Sequence, residues 1–305
     1  MANNFFVMRL ESLQEWKVLV DNLMTQDKTT FRDLLTRLAP GLAPGLSNIF
    51  TTAEQEAQNT ARIVKRMAFA IFSAETDQYT TYLPDIQEKL SDCLKLQRHP
   101  VVTSDVFLGF RTLLLRFSPT HLLSFWPAIV SETLSVLQEM EGDLVQESRA
   151  GEVVSSPAQL RLYLSVAKLL HTASSLPHTF LPHFQYLQWG FSDVGSPHSM
   201  STSCLGTGPV YRICTLFSTV EGMERDDSKG GVNLPGLHRI TSVRELAPFF
   251  TSLTPHNPWG LRQSHTVTGE SPIKAHHVSS GHQQTVQISA AEKDLLRDFL
   301  EPFCS

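Results

Sequence analysis

Three groups of residues in this chain of 305 are candidates for binding or catalysis. His276, His277 and His282 could ligate a metal, and the string GFSDVG around Ser192 has some features of a nucleophile elbow, with His178 or His183 as its base. Arg62, Lys65 and Arg66 share one side of a helical pattern, where adjacent cations suit an inositol-lipid or phosphate headgroup. The first two groups are incomplete. The histidines have no cysteine or carboxylate at ligand spacing, and the serine sits in G-x-S-x-x-G with no run of strand before it. No phosphate-cradling glycine loop, H-E-x-x-H helix or kinase signature occurs, so no catalytic residue, metal or cofactor is expected. The basic trio keeps two readings: a headgroup site, or a solvated face pairing with Glu54 and Glu56.

Charge balance narrows the partners. The 25 Lys+Arg against 30 Asp+Glu give a formal net charge of -5, so no global field draws the chain to nucleic acid or anionic lipid. The four cysteines, Cys93, Cys204, Cys214 and Cys304, match neither a C-x-x-C pair nor a disulfide framework, which predicts reduced thiols in the cytosol. MANNFFVMRL does not have the build of a secretory signal, and with Ala in second place no myristoylation is expected. The richest apolar stretches, MAFAIF and FLGFRTLLLRF, are short or broken by Arg111 and Arg116, below the ~18 apolar residues of a spanning helix. Contact with a membrane is therefore expected from outside it.

The scaffold around these residues reads as helical. Leu10, Leu13, Trp16, Leu19/Val20 and Leu23 form one stripe; a second helix is predicted from Asp27, and a third from Thr52 to Phe72. The segments YLPDI, FWPAI and FLPHF repeat an apolar pair, a proline and a later apolar residue, at Pro84, Pro127 and Pro182. The first interval fits the ~40 to 47 residue period of HEAT and armadillo repeats. Val106 to Phe117 is apolar nearly all round and reads as a helix sandwiched between layers. Ser118-Pro119 and Ser156-Pro157 each look like the cap and first turn of a helix. Between them Glu132, Glu139, Glu141, Asp143 and Glu147 predict an acidic, solvated rim, with Glu139, Glu141 and Asp143 as candidates for a partner surface. Trp16, Trp126 and Trp189 read as core or groove aromatics.

The expected fold is thus all-α, a HEAT/armadillo-like helical-repeat array over residues 1–190. Residues 191–288, rich in Ser, Gly, Pro and His, are expected to be mostly flexible, with ordered islands at Val210–Val220 and Ile240–Phe250. A terminal amphipathic helix over 289–301 follows, with Ser289 and Glu292 as its capping box.

Four blocks closely resemble the C-terminal region of the Dopey family: the stretch from MANNFFVMRL to TTFRDLL, RMAFAIFSAETDQYTTYLPDIQEKLSDCLKL, VFLGFRTLLLRFSPTHLLSFWPAIVSETLSVLQEME, and LYLSVAKLL. They occur in order across about residues 1–189, and nothing is carried over beyond Phe191. The resemblance implies a non-enzymatic scaffold or adaptor, peripheral on Golgi, trans-Golgi network and endosome membranes, serving vesicle-mediated transport between them. It further implies an Arf-exchange-factor-related Golgi scaffold as partner, and links to a phospholipid flippase, kinesin-1 light chain and phosphatidylinositol 4-phosphate. The rival readings are a hydrolase built on Ser192 and a purely structural module without membrane contact.

Overall fold

The computed structural model describes residues 13–38, 52–96, 99–176, 181–182, 184, 208–220, 234, 237–253 and 290–299, and every regular element among them is helical. The chain divides into two compact units, one made of residues 1–129 with 292–305 and the other of residues 130–291. Composition changes near residue 190, but the border between the units falls inside a helix at Ile129 and Val130.

In the first unit the helices are α1 (Leu13–Gln26), α2 (Lys28–Thr36), α3 (Ala53–Ser73), α4 (Leu83–Leu96) and α5 (Pro100–Arg116). The start of α2 is set by Asp27, whose carboxylate accepts the Thr29 N–H at 2.9 Å. A reciprocal box opens α3: the Thr52 hydroxyl accepts the Gln55 N–H while the Gln55 side chain accepts the Thr52 N–H. The first half of α3 buries a stripe, Ala57, Ala61 and Val64; from Met67 to Phe72 it is buried all round. The same is true of α5 from Val102 to Leu115, as its continuous apolar pattern predicts. These two helices form the central pair, with α1 packed on α3 and α4 on α5.

Pro84 and Pro127 are each the second residue of a helix, α4 and α6 (Trp126–Ala150). Each follows a short 3-10 turn, and Ile86 and Ile129, two residues on, are both buried. The repeated prolines therefore start helices, where the missing N–H removes no intrahelical bond. Ser118-Pro119 behaves differently from the expected α-helical cap. Pro119–Leu122 is only a 3-10 turn, and the Ser118 side chain does not cap it. Instead the Ser118 N–H donates to Asp77 Oδ1 at 2.8 Å and its hydroxyl donates to Asp77 Oδ2. Asp77 stands at φ 63, and its own N–H donates to the Arg116 carbonyl at 3.0 Å, so the turn after α3 is pinned to the end of α5.

The second unit holds the remainder of α6, α7 (Pro157–Ser175), α8 (Pro209–Val220), a 3-10 turn (Val243–Leu246) and α9 (Ala247–Ser252). Gly151, at φ 74, ends α6, donating its N–H to the Glu147 carbonyl at 2.9 Å. Ser156 opens α7 with the expected cap, completed by Gln159 as a capping box. Helix α8 packs on α9, where the Cys214 thiol donates to the Phe250 carbonyl at 3.0 Å.

The islands expected at Val210–Val220 and Ile240–Phe250 contain α8, the 3-10 turn and α9. The terminal segment forms α10, residues 290–299; Ser289 of its expected box lies outside the described residues. Most of the stretch expected to be flexible also lies outside them. Among the described residues, no helix is long and apolar enough to cross a membrane.

Candidate functional site

Helix α3 carries Arg62, Lys65 and Arg66, but not on one solvent face. Lys65 follows Val64 and lies one turn beyond Ala61, so the buried stripe takes it inward and leaves it 2% exposed. The expected headgroup trio is corrected accordingly: half-buried Arg62 and Arg66 remain at the surface. Arg37, just after α2, comes within electrostatic reach of them. Burial first, then Arg62 and Arg37, lower the proton affinity of Arg66. Glu54, expected to balance this face, instead accepts from Gln58 at 3.1 Å and lies 2.8 Å from His99 Nε2.

The densest charged constellation in the first unit lies elsewhere, between α5 and α10. Arg111, 3% exposed at its side chain, reaches Asp294 at 2.6 Å through one amine and Asp298 through the other. One turn further along α5, Arg116 is 3.3 Å from Glu292 and lies over the Phe72 ring, 4.6 Å from its centroid. Lys17 Nζ is 4.8 Å from that centroid, and burial, followed by the charge of Arg116, lowers its proton affinity. Phe299 meets Phe69 edge-on at 5.3 Å and Phe72 at 5.7 Å. Asp294 and Asp298 are four residues apart and so share a helix face. That spacing, and an arginine inside an apolar helix, were the signals in the sequence.

In the second unit the acidic segment is not the solvated rim its charge predicts. Glu139 is exposed, whereas Glu141 accepts from Arg212 Nε at 2.7 Å and Glu147 is only 3% exposed. Asp143 accepts two hydroxyls, from Tyr163 at 2.7 Å and Ser155 at 2.6 Å. The reason is helical geometry: Asp143 and Glu147 lie one turn apart beside buried Met140 and Leu144, so they accompany the apolar row inward. Burial, reinforced by the Asp143 hydrogen bond and neighbouring acids, pushes the Tyr163 phenol up. The Glu141 hydrogen bond raises the proton affinity of Arg212.

Cys93 and Cys214 are buried thiols, each pushed up to about 12 by burial. They are thus poor nucleophiles near neutrality. Trp126 is buried and Trp16 half-buried. Trp189, Ser192, His178, His183, Cys204, Cys304 and the histidines 276, 277 and 282 lie outside the described residues, among which no cluster of three metal-ligating side chains occurs.

Residues 1–177 match the family model described as DOP1 C-terminal. Protein pad-1 of Caenorhabditis briggsae is 34% identical over 98% of this chain, and Protein DOP1 homolog of Drosophila melanogaster is 38% identical over 82% of it. Protein DOP1B of Mus musculus is 35% identical over 79%. The chain covers only 11–12% of the length of these relatives. No solved structure matches.

Proposed function

Given that this chain belongs to the DOP1, or Dopey, family, we propose that it is a non-enzymatic adaptor segment in vesicle-mediated transport between the Golgi, including the trans-Golgi network, and endosomes. The observation that carries the reading is the use made of ionisable side chains. Arg111 with Asp294 and Asp298 in the first unit, and Asp143 with Tyr163 in the second, join one helix to another within each unit. Packed helices held in this way keep their outer faces in place for docking. On this reading the chain works peripherally at the membrane, beside an Arf-exchange-factor-related Golgi scaffold, with a phospholipid flippase and kinesin-1 light chain as further partners.

The membrane-facing element we assign is the arginine pair Arg62 and Arg66, joined by Arg37. Each cation near an anionic surface is worth ~1 kcal/mol. Vesicles with and without phosphatidylinositol 4-phosphate, sedimented with the full chain, test this. Arg62→Glu/Arg66→Glu is expected to reduce binding to the charged vesicles at least several-fold, and unchanged binding removes the pair from the reading. Lys65 is left intact, since its substitution would disturb the core. The transport role itself is tested by imaging the tagged chain in cells against trans-Golgi and endosomal markers. A distribution unrelated to both, with no Golgi or endosomal protein recovered on affinity capture, overturns it.

A further inference from the structure

The surface of α3 and α5 beneath α10 is both cationic and aromatic. Arg111 is buried there, and Arg116 and Lys17 both approach the face of Phe72. The helix laid upon it carries the matching groups: Glu292 opposite Arg116, Asp294 and Asp298 on Arg111, and Phe299 against Phe69 and Phe72. Leu295, one turn before Phe299, is fully buried beside them. We propose that this face is a receptor for acidic amphipathic helices, that α10 occupies it within the chain, and that a partner protein's helix of the same pattern replaces α10. The pattern is a pair of carboxylates four residues apart, with a leucine after the first and an aromatic after the second.

Three features lead there. The described part of α10 is short, and isolated helices of such length are marginal in water, so packing on this face is what holds α10 helical. Its grip consists of charged pairs and a few apolar side chains, which another helix carrying the same spacing reproduces. Asp294 and Asp298 meet a deeply buried guanidinium, so a helix that takes the place of α10 with carboxylates at the same spacing restores the contacts that α10 gives up. Because α10 is covalently tethered, it competes at a high effective concentration, and the incoming helix must bind more tightly than α10 to win. The inference concerns the surface alone and stands whether or not the transport reading does.

The test uses a fluorescent, N-acetylated peptide of residues 286–303, titrated by anisotropy against the full chain and against Asp294→Ala/Asp298→Ala/Phe299→Ala. The variant is expected to bind the peptide at least about tenfold more tightly than the parent. That binding should weaken several-fold with added salt and disappear when Arg111→Leu is introduced. Equal affinity for parent and variant, or indifference to Arg111, overturns the proposal. Hydrogen exchange on the unaltered chain provides a measurement that does not depend on the variant folding. Amides of residues 290–299 should exchange at least about tenfold faster than those of 102–115, whereas equal protection makes α10 a permanent part of the core and overturns the proposal. A concentration-dependent dimer that the triple variant abolishes would give the face to a second copy, and overturns the partner reading.

Discussion

An arginine in the middle of a buried helix must be met by negative charge, and Arg111 meets two carboxylates from a helix more than 180 residues away. Removing one partner of a buried pair leaves the other charge uncompensated. Arg111→Ala is therefore expected to lose about 3–5 kcal/mol of unfolding free energy, measured in urea. Arg111→Met with Asp294→Leu and Asp298→Leu should recover most of that loss, because an apolar replacement removes the desolvation cost along with the attraction. The thiols give a second residue-scale expectation. In the fold Cys93 and Cys214 hold their protons to about pH 12, but in the unfolded chain they release them near pH 9. Their contribution is fully present below pH 9 and is lost as pH rises from 9 towards 12. Urea unfolding between pH 8 and 10.5 should show a smaller loss in Cys93→Ala/Cys214→Ala than in the parent. Both thiols should also react with iodoacetamide at pH 8 at least about a hundredfold more slowly than a free cysteine, read by peptide mass spectrometry.

Element boundaries were legible where a side chain of one residue meets the backbone of the next few. Asp27, Thr52 and Ser156 all cap the helices that their sequence positions predict, and Ser156→Ala is expected to cost about 1 kcal/mol through loss of its bond to the Gln159 N–H. Two glycines of α6 separate local from positional demands. A Cβ at Gly142 meets nothing within 4 Å, so Gly142→Ala should stabilise by about 0.5–1 kcal/mol; Gly151, at φ 74, should lose about 1 kcal/mol on the same change. Paired thermal unfolding of the two variants checks the opposite signs. Ser118 does not cap an α-helix, because its partner, Asp77, lies beyond the reach of local capping patterns. Pro84 and Pro127 could kink or start a helix, and local sequence left both open; the packing of Ile86 and Ile129 accompanies the second outcome.

At the scale of the molecule, the first unit is assembled from both ends of the chain. Its closing contacts, Phe299 on Phe69 and Phe72 and both acids on Arg111, join residues far apart in sequence, so forming them carries a loop-closure entropy cost. Removing residues 290–305 takes away both carboxylates and the aromatic at once. The truncated chain is expected to lose more than about 3 kcal/mol in urea and to bind a hydrophobic dye that the full chain excludes. Unchanged stability would mean that α10 adds nothing to the unit.

Helical class, the caps at Asp27, Thr52 and Ser156 and the deeply buried course of α5 follow from the order of residues alone, because apolar periodicity and capping act over a few residues. The family blocks were likewise legible, being contiguous strings. Which charges face outward is set by packing in three dimensions. Lys65 and Glu147 have the residue types of a surface and the positions of a core, and Asp143 needed Tyr163 and Ser155 to become an internal acceptor. The clamp on Arg111 also waited for tertiary structure, since α10 reaches α5 through a pairing that no local rule encodes. Burial of a charge depends on what lies opposite it in space, and spacing along one helix does not contain that information.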